Sequence, residues 1–194
     1  MIMCDYPNQD SIKIVNIVTS GGIDREINLE KVANDIKIFD VNYDPSNFPG
    51  VVIKTAENGS TILLFRSGKF TVTGSSTQDE VKESIDVFSE SLLDLGIINS
   101  AINRDQYDIV NLVCSAEVEI DEDLNSIAII LGIENVEYEP EISPFIIYRP
   151  PNHNCVMTIA GSGRIVVTGM TSLDTAKEAV IHLEKILNQA RENS

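Results

Sequence analysis

Ile14-Val15-Asn16-Ile17-Val18 is an apolar, β-branched run with one asparagine set into it, and the chain writes it twice. Ninety-five residues on stands Ile109-Val110-Asn111-Leu112-Val113. The same shift carries Tyr43-Asp44-Pro45 onto Tyr138-Glu139-Pro140, Ser67-Gly68-Lys69 onto Ser162-Gly163-Arg164, and Val72-Thr73-Gly74 onto Val167-Thr168-Gly169. One register held without a gap over about 80 residues marks an internal duplication. Two long copies are too few for a solenoid, whose short units stack one on the next. The natural reading is a pseudo-twofold pair of α+β halves, an N-terminal tail over 1–10 followed by repeats over 11–97 and 104–194.

Each copy has the same order of elements. Residues 11–20 alternate as a strand should. Asn28 is placed to cap a short helix over 29–38, where Leu29, Val32, Ala33 and Ile36 have helical spacing. Four short strands follow near 39–44, 50–56, 60–66 and 69–74. Asn58-Gly59 and Ser67-Gly68 are turn signals between them. Thr77 with Glu80 forms a capping box, Val81, Ile85, Phe88 and Leu92 make one apolar stripe, and Gly96 closes the helix. The second copy predicts a strand over 107–116, a helix over 121–132, four strands between 135 and 168, and a helix over 171–190. A long helix with a single apolar stripe covers one face of its sheet. The other face, bearing Asn16, Val18, Leu63, Phe65, Thr71 and Thr73, and Asn111, Val113, Val166 and Thr168, stays open. An open, uncharged, mildly apolar sheet face reads as a binding surface.

Composition narrows the function classes. The chain has 194 residues, 14 basic and 30 acidic groups, and a formal charge of −16. No apolar run is long enough to span a bilayer, and the first residues carry no secretory signal pattern. Three cysteines without a CxxC pair argue against a disulfide framework or a structural zinc site. A cytoplasmic protein is expected. His153 and His182, the only histidines, lack ligand spacing, so no metal or other cofactor is expected. Cys114 and Cys155 read as packed strand residues. No nucleophile–base pair, HExxH motif or complete phosphate loop is present, which argues against an enzyme.

The double repeat, the N-I-V and N-L-V pair, the matched S-G-K…V-T-G and S-G-R…V-T-G segments, and Y-E-P-E followed by I-Y-R resemble the TATA-box-binding protein family, in its archaeal form. The resemblance covers about residues 11–190. It implies a saddle: ten strands in one curved antiparallel sheet, four helices on the convex side, and a concave face that sits in the minor groove of A·T-rich promoter DNA and bends it. This family is itself the usual example of that kinking mechanism. Carried over residue by residue, the base-contacting positions are Asn16, Val18, Leu63, Thr71, Thr73, Asn111, Val113, Val166 and Thr168. Lys54, Lys69, Arg149 and Arg164 match basic positions that contact phosphates. Glu139-Pro140-Glu141 matches the loop on which the family docks transcription factor B. Phe48 and Phe65 match wedges driven between base steps.

The second repeat departs from this pattern where it matters. Ser143 and Ala160 stand where the wedges belong. Phe145, two residues along, is either a substitute wedge or loop packing. Charge shows the same asymmetry, with a net −5 over 11–97 against −9 over 104–194. Two rivals therefore stand beside the promoter-binding reading. One is a paralogue whose saddle binds protein, favoured if acidic side chains lie on the concave face. The other is a substrate-binding module for a separate nuclease or glycosylase. Without DNA, self-association through the concave face is a further expectation.

Overall fold

The computed structural model describes residues 12–38, 40–56 and 59–192. Asn58, half of one turn signal, lies outside them. The first half runs β1 (Lys13–Gly22), α1 (Leu29–Asp35), β2 (Asp40–Asn42), β3 (Gly50–Lys54), β4 (Thr61–Phe65), β5 (Lys69–Ser75) and α2 (Gln78–Asp94). The second runs β6 (Tyr107–Glu117), α3 (Leu124–Leu131), β7 (Val136–Glu137), β8 (Phe145–Tyr148), β9 (Val156–Ala160), β10 (Arg164–Met170) and α4 (Leu173–Glu192). The strands form a ten-stranded antiparallel sheet in the order β2-β3-β4-β5-β1-β6-β10-β9-β8-β7. The chain divides into two compact units, 16–111 and 112–194 with the residues before 16.

The expected helix signals act as read. Asn28 accepts the Lys31 N–H at 3.0 Å. Thr77 and Glu80 cap α2 reciprocally, and Gly96, at φ +64°, donates its N–H to the Leu93 carbonyl. α1 stops short of its expected end because Ile36 turns extended, its N–H bonding the Val32 carbonyl. Cys155 lies just ahead of β9 rather than within a strand, and like Cys114 it is buried with its thiol pushed up by desolvation.

In the first half, Val81, Ile85, Phe88 and Leu92 of α2 are buried, as are Ile17, Val51, Ile53, Ile62, Leu64, Phe70 and Val72 of the sheet. Phe70 and Phe88 meet edge to face with centroids 5.7 Å apart, a geometry that adds to the value of their burial. In the second half, Ile165 and Leu183 take those two places, and Ala176 and Ala179 of α4 are fully buried.

Thr19 is a weak point in this core. It is fully buried on β1, and its hydroxyl has no hydrogen-bond partner among the described residues. The second half has Cys114 at the same place, a small hydrophobe. Thr19→Val removes the stranded hydroxyl at constant shape and is expected to stabilise the protein by about 1 kcal/mol. Urea unfolding reads this directly, and a loss of stability would show that the hydroxyl is satisfied in solution.

Candidate nucleic-acid interface

Alternation along each strand sorts the side chains onto two faces. In the first half, one set is buried under the helices and the other forms the open face. Register aligns that second set into rows. Val52 stands opposite Leu63, Leu63 opposite Thr71, and Thr71 opposite Ser20. The next row holds Lys54, Thr61 and Thr73. Asn16 lies beside it, where a bulge on β5 breaks the ladder. Its side-chain carbonyl accepts the Gly74 N–H at 2.8 Å, and its amide donates to Thr73 Oγ1 at 3.2 Å. This fixes the orientation of the amide, whose second N–H is then available to a ligand. Gly74 takes φ +94° in this bulge.

The second half repeats the plan. Ile147, Thr158, Val166 and Ser115 form one row, and Val156, Thr168 and Val113 the next. Gly169 takes φ +97° at the matching bulge, and Asn111 lies on β6 where Asn16 lies on β1. Within each half, all the expected base-contacting residues fall on this one face. Sequence reasoning missed Val52, Thr61, Ser20, Ile147, Val156, Thr158 and Ser115, which complete the rows. Carrying the open-face parity along every strand would have found them.

At the far end of the first half, the Phe48 and Phe65 rings lie 5.7 Å apart, tilted by 58°. The Asp44 carbonyl accepts the N–H groups of Asn47 and Phe48 at 3.1 and 2.9 Å, and the Asp44 carboxylate holds the Ser46 N–H at 3.0 Å. That turn presents Phe48 to Phe65 across Gly50, which pairs with Phe65 in the ladder. A Cβ on Gly50 would stand 2.8 Å from the Phe48 ring and 3.2 Å from the Phe65 ring. In the second half the Glu139 carbonyl builds the same turn, accepting from Ile142 and Ser143 at 2.9 Å. Glu139, Pro140 and Glu141 are all exposed on it. Ser143 occupies the Phe48 place, and Ala160 the Phe65 place, opposite Phe145.

The basic edge differs between the halves. Lys54 and Lys69 are exposed, and no acidic side chain among the described residues lies within ion-pair distance of either. Arg149 Nη1 meets Glu137 Oε1 at 2.9 Å, and Arg164 Nε meets Glu117 Oε1 at 4.0 Å. The first half has the uncharged Asn42 and Gly22 where these two acids stand. Acidic groups on the open-face parity of the strands are thus confined to its edge, each beside a basic residue: Asp40 opposite Lys54, Glu117 opposite Arg164, and Glu137 beside Arg149.

Away from this face, the fold brings His153 and His182 together with ring centroids 5.0 Å apart, a proximity their spacing does not reveal. Burial, the other imidazole and Lys185 hold His182 below its ordinary value. No group of three metal-ligating side chains occurs among the described residues, and no described helix is long and apolar enough to cross a membrane. What the molecule offers is a pair of uncharged sheet faces with threonine and asparagine donors, basic edges, and an aromatic pair at one end. That set suits an anionic polymer whose apolar edges carry hydrogen-bond acceptors.

Comparison with known proteins agrees with this arrangement. A sequence model of the family described as "Transcription factor TFIID (or TATA-binding protein, TBP)" matches residues 11–95 and again 106–190. The chain is 41% identical to the TATA-box-binding protein of Archaeoglobus fulgidus over 95% of this chain and 97% of that one. It is 42% identical to that of Natronomonas pharaonis over 95% of each. The solved Methanococcus jannaschii TBP superposes with a TM-score of 0.80 at 35% identity, covering 92% of this chain and 99% of that one. On this sequence match, its duplicated placement and the shared fold, the chain belongs to the TATA-box-binding protein family.

Proposed function

We propose that this chain is a general transcription initiation factor that lays its open sheet face in the minor groove of A·T-rich promoter DNA, bends the duplex, and presents residues 139–141 to transcription factor B. The observation that carries this is the uncharged rows Val52–Leu63–Thr71 and Ile147–Thr158–Val166, edged by basic side chains. The minor groove of A·T pairs shows only acceptors, and a G·C pair adds a protruding amino donor. Threonine hydroxyls and the Asn16 amide supply donors to those acceptors. The aliphatic side chains of these rows, Val52, Leu63, Ile147 and Val166, offer no acceptor to that amino group. Lys54, Lys69, Arg149 and Arg164 set the register by phosphate contact, which carries no sequence information. Phe48 and Phe65 insert as a pair between base steps. The exposed carboxylates of Glu139 and Glu141, on a hydrogen-bonded turn, suit a basic partner surface.

The test is fluorescence anisotropy of the full chain on a short duplex with a central T/A box, against a G·C-substituted duplex, over a salt series. Preference for the T/A box with a bend, reported by labels at the two ends, supports the reading. Absence of binding to both duplexes at low salt, with transcription factor B present, defeats it. The acids Glu117 and Glu137 favour one second reading, in which the second half takes a protein ligand, and that result would leave it standing.

Those two acids also give a quantitative expectation. Phosphates must compete with Glu117 and Glu137 for Arg164 and Arg149. Exposed ion pairs contribute little, so Glu117→Gln and Glu137→Gln should each tighten DNA binding only roughly two- to fivefold. Because both arginines already contact phosphate in the proposed complex, the slope of the log–log salt dependence should stay close to that of the wild type. The same salt series measures both, and a slope steeper by about two contacts in the double variant would show that the arginines reach the backbone only once the acids are removed.

A further inference from the structure

The second half lacks both aromatic residues of the first, yet it is not without a ring at that end. Gly50 pairs with Phe65 across β3 and β4. The matching rung across β8 and β9 pairs Phe145 with Ala160. The large and small residues have changed strands. Sterics link these changes. A Cβ at Gly50 would crowd both first-half rings and the Leu64 carbonyl oxygen, so a side chain there requires small residues opposite it and in the turn, together with a small shift of the backbone. The second half has those small residues, Ala160 and Ser143. Phe145 shares its face with Ile147, the open face, whereas Ile146 between them is fully buried. Phe145 is 43% exposed, so it does not plug the core. In the same turn Ile142 is 80% exposed where the first half has Asn47.

We propose that Phe145 is the DNA-inserting side chain of the second half, moved one strand across from the position that Phe65 holds in the first. The proposal rests on the minor-groove reading above. It makes the two ends unequal: a tilted two-ring wedge at one, a single unpaired ring at the other. A single ring opens a base step less than a pair does, so the second step is unstacked less. The two ends of a promoter box are then distinguishable to the protein, and the more easily unstacked step is favoured at the first-half end, where two rings must enter.

The experiment uses the full chain and duplexes carrying 2-aminopurine at successive steps of the T/A box, whose fluorescence rises on unstacking. Wild type is expected to brighten two steps, one strongly and one weakly. Phe145→Ala should lose the weak step and bind about tenfold less tightly, the effect of removing one stacked aromatic. Phe65→Ala should lose the strong one. The double variant Phe145→Gly with Ala160→Phe restores the first-half arrangement of that rung and should keep both steps bright, which separates ring insertion from a folding defect in Phe145→Ala. If Phe145→Ala keeps both bright steps and full affinity while Phe65→Ala loses its own, the proposal is overturned and the minor-groove reading survives. If Phe65→Ala also changes nothing, both fail together.

Discussion

Phe65→Ala is expected to weaken T/A-box binding about 100-fold and to remove most of the bend, while leaving the fold intact. Stacking of one aromatic side chain on a base contributes roughly 1–3 kcal/mol. Phe65 also holds Phe48, at 5.7 Å between centroids, and such pairs contribute about 0.5–1.5 kcal/mol beyond their burial. Truncation therefore removes one wedge and frees the rotamers of the other. The fold should tolerate it because Phe65 lies on the open parity of β4, with Ile62 and Leu64 supplying the buried side. Anisotropy and end-label energy transfer on one duplex measure affinity and bend, and urea unfolding checks the fold. A Phe65→Ala protein that bends the T/A box as wild type does would remove the wedge from the mechanism.

The largest stability effect is expected at two turn glycines. Gly68 and Gly163 take φ +82° and +85°, a region where a side chain is strained. A Cβ on Gly68 would also overlap the backbone carbonyl oxygens of Ile23 and Arg25, and one on Gly163 that of Val118. These are not flexible neighbours. The Gly68 carbonyl accepts the Ile23 N–H at 2.9 Å, and the Gly163 carbonyl accepts the Val118 N–H at 2.8 Å. Each turn is thus clamped to the chain leaving the first strand of its half. Alanine at either position should cost about 3 kcal/mol or more, combining backbone strain with loss of that clamp. Gly74 and Gly169 provide the contrast. Their φ is as positive, but an added Cβ meets nothing nearer than 3.7 and 3.5 Å, so alanine there should cost only the backbone strain, about 1–2 kcal/mol. Urea unfolding of the four variants decides it, and equal losses at all four would show that φ alone sets the cost.

The duplication, the order of elements, the capping of α2 and its buried stripe were all legible in the chain. They depend on neighbours within a few residues, or on comparing the chain with itself. The open face was half legible for the same reason: alternation says which side of a strand a residue takes, so Asn16, Leu63, Thr71 and Val166 could be assigned from parity. Val52 and Thr158 were open to the same parity argument; what parity does not give is which residues stand opposite them, because cross-strand register is set by long-range pairing. The same limit applies to charge. Net charge put more negative groups in the second half, but only the fold brings Glu137 against Arg149 and Glu117 against Arg164, and His153 against His182. By itself, the sequence determined that this is a twofold α+β chain of the TATA-box-binding type with its second aromatic pair missing. The tertiary structure decided where the remaining ring stands, because two residues fifteen apart become one rung only when β8 and β9 pair.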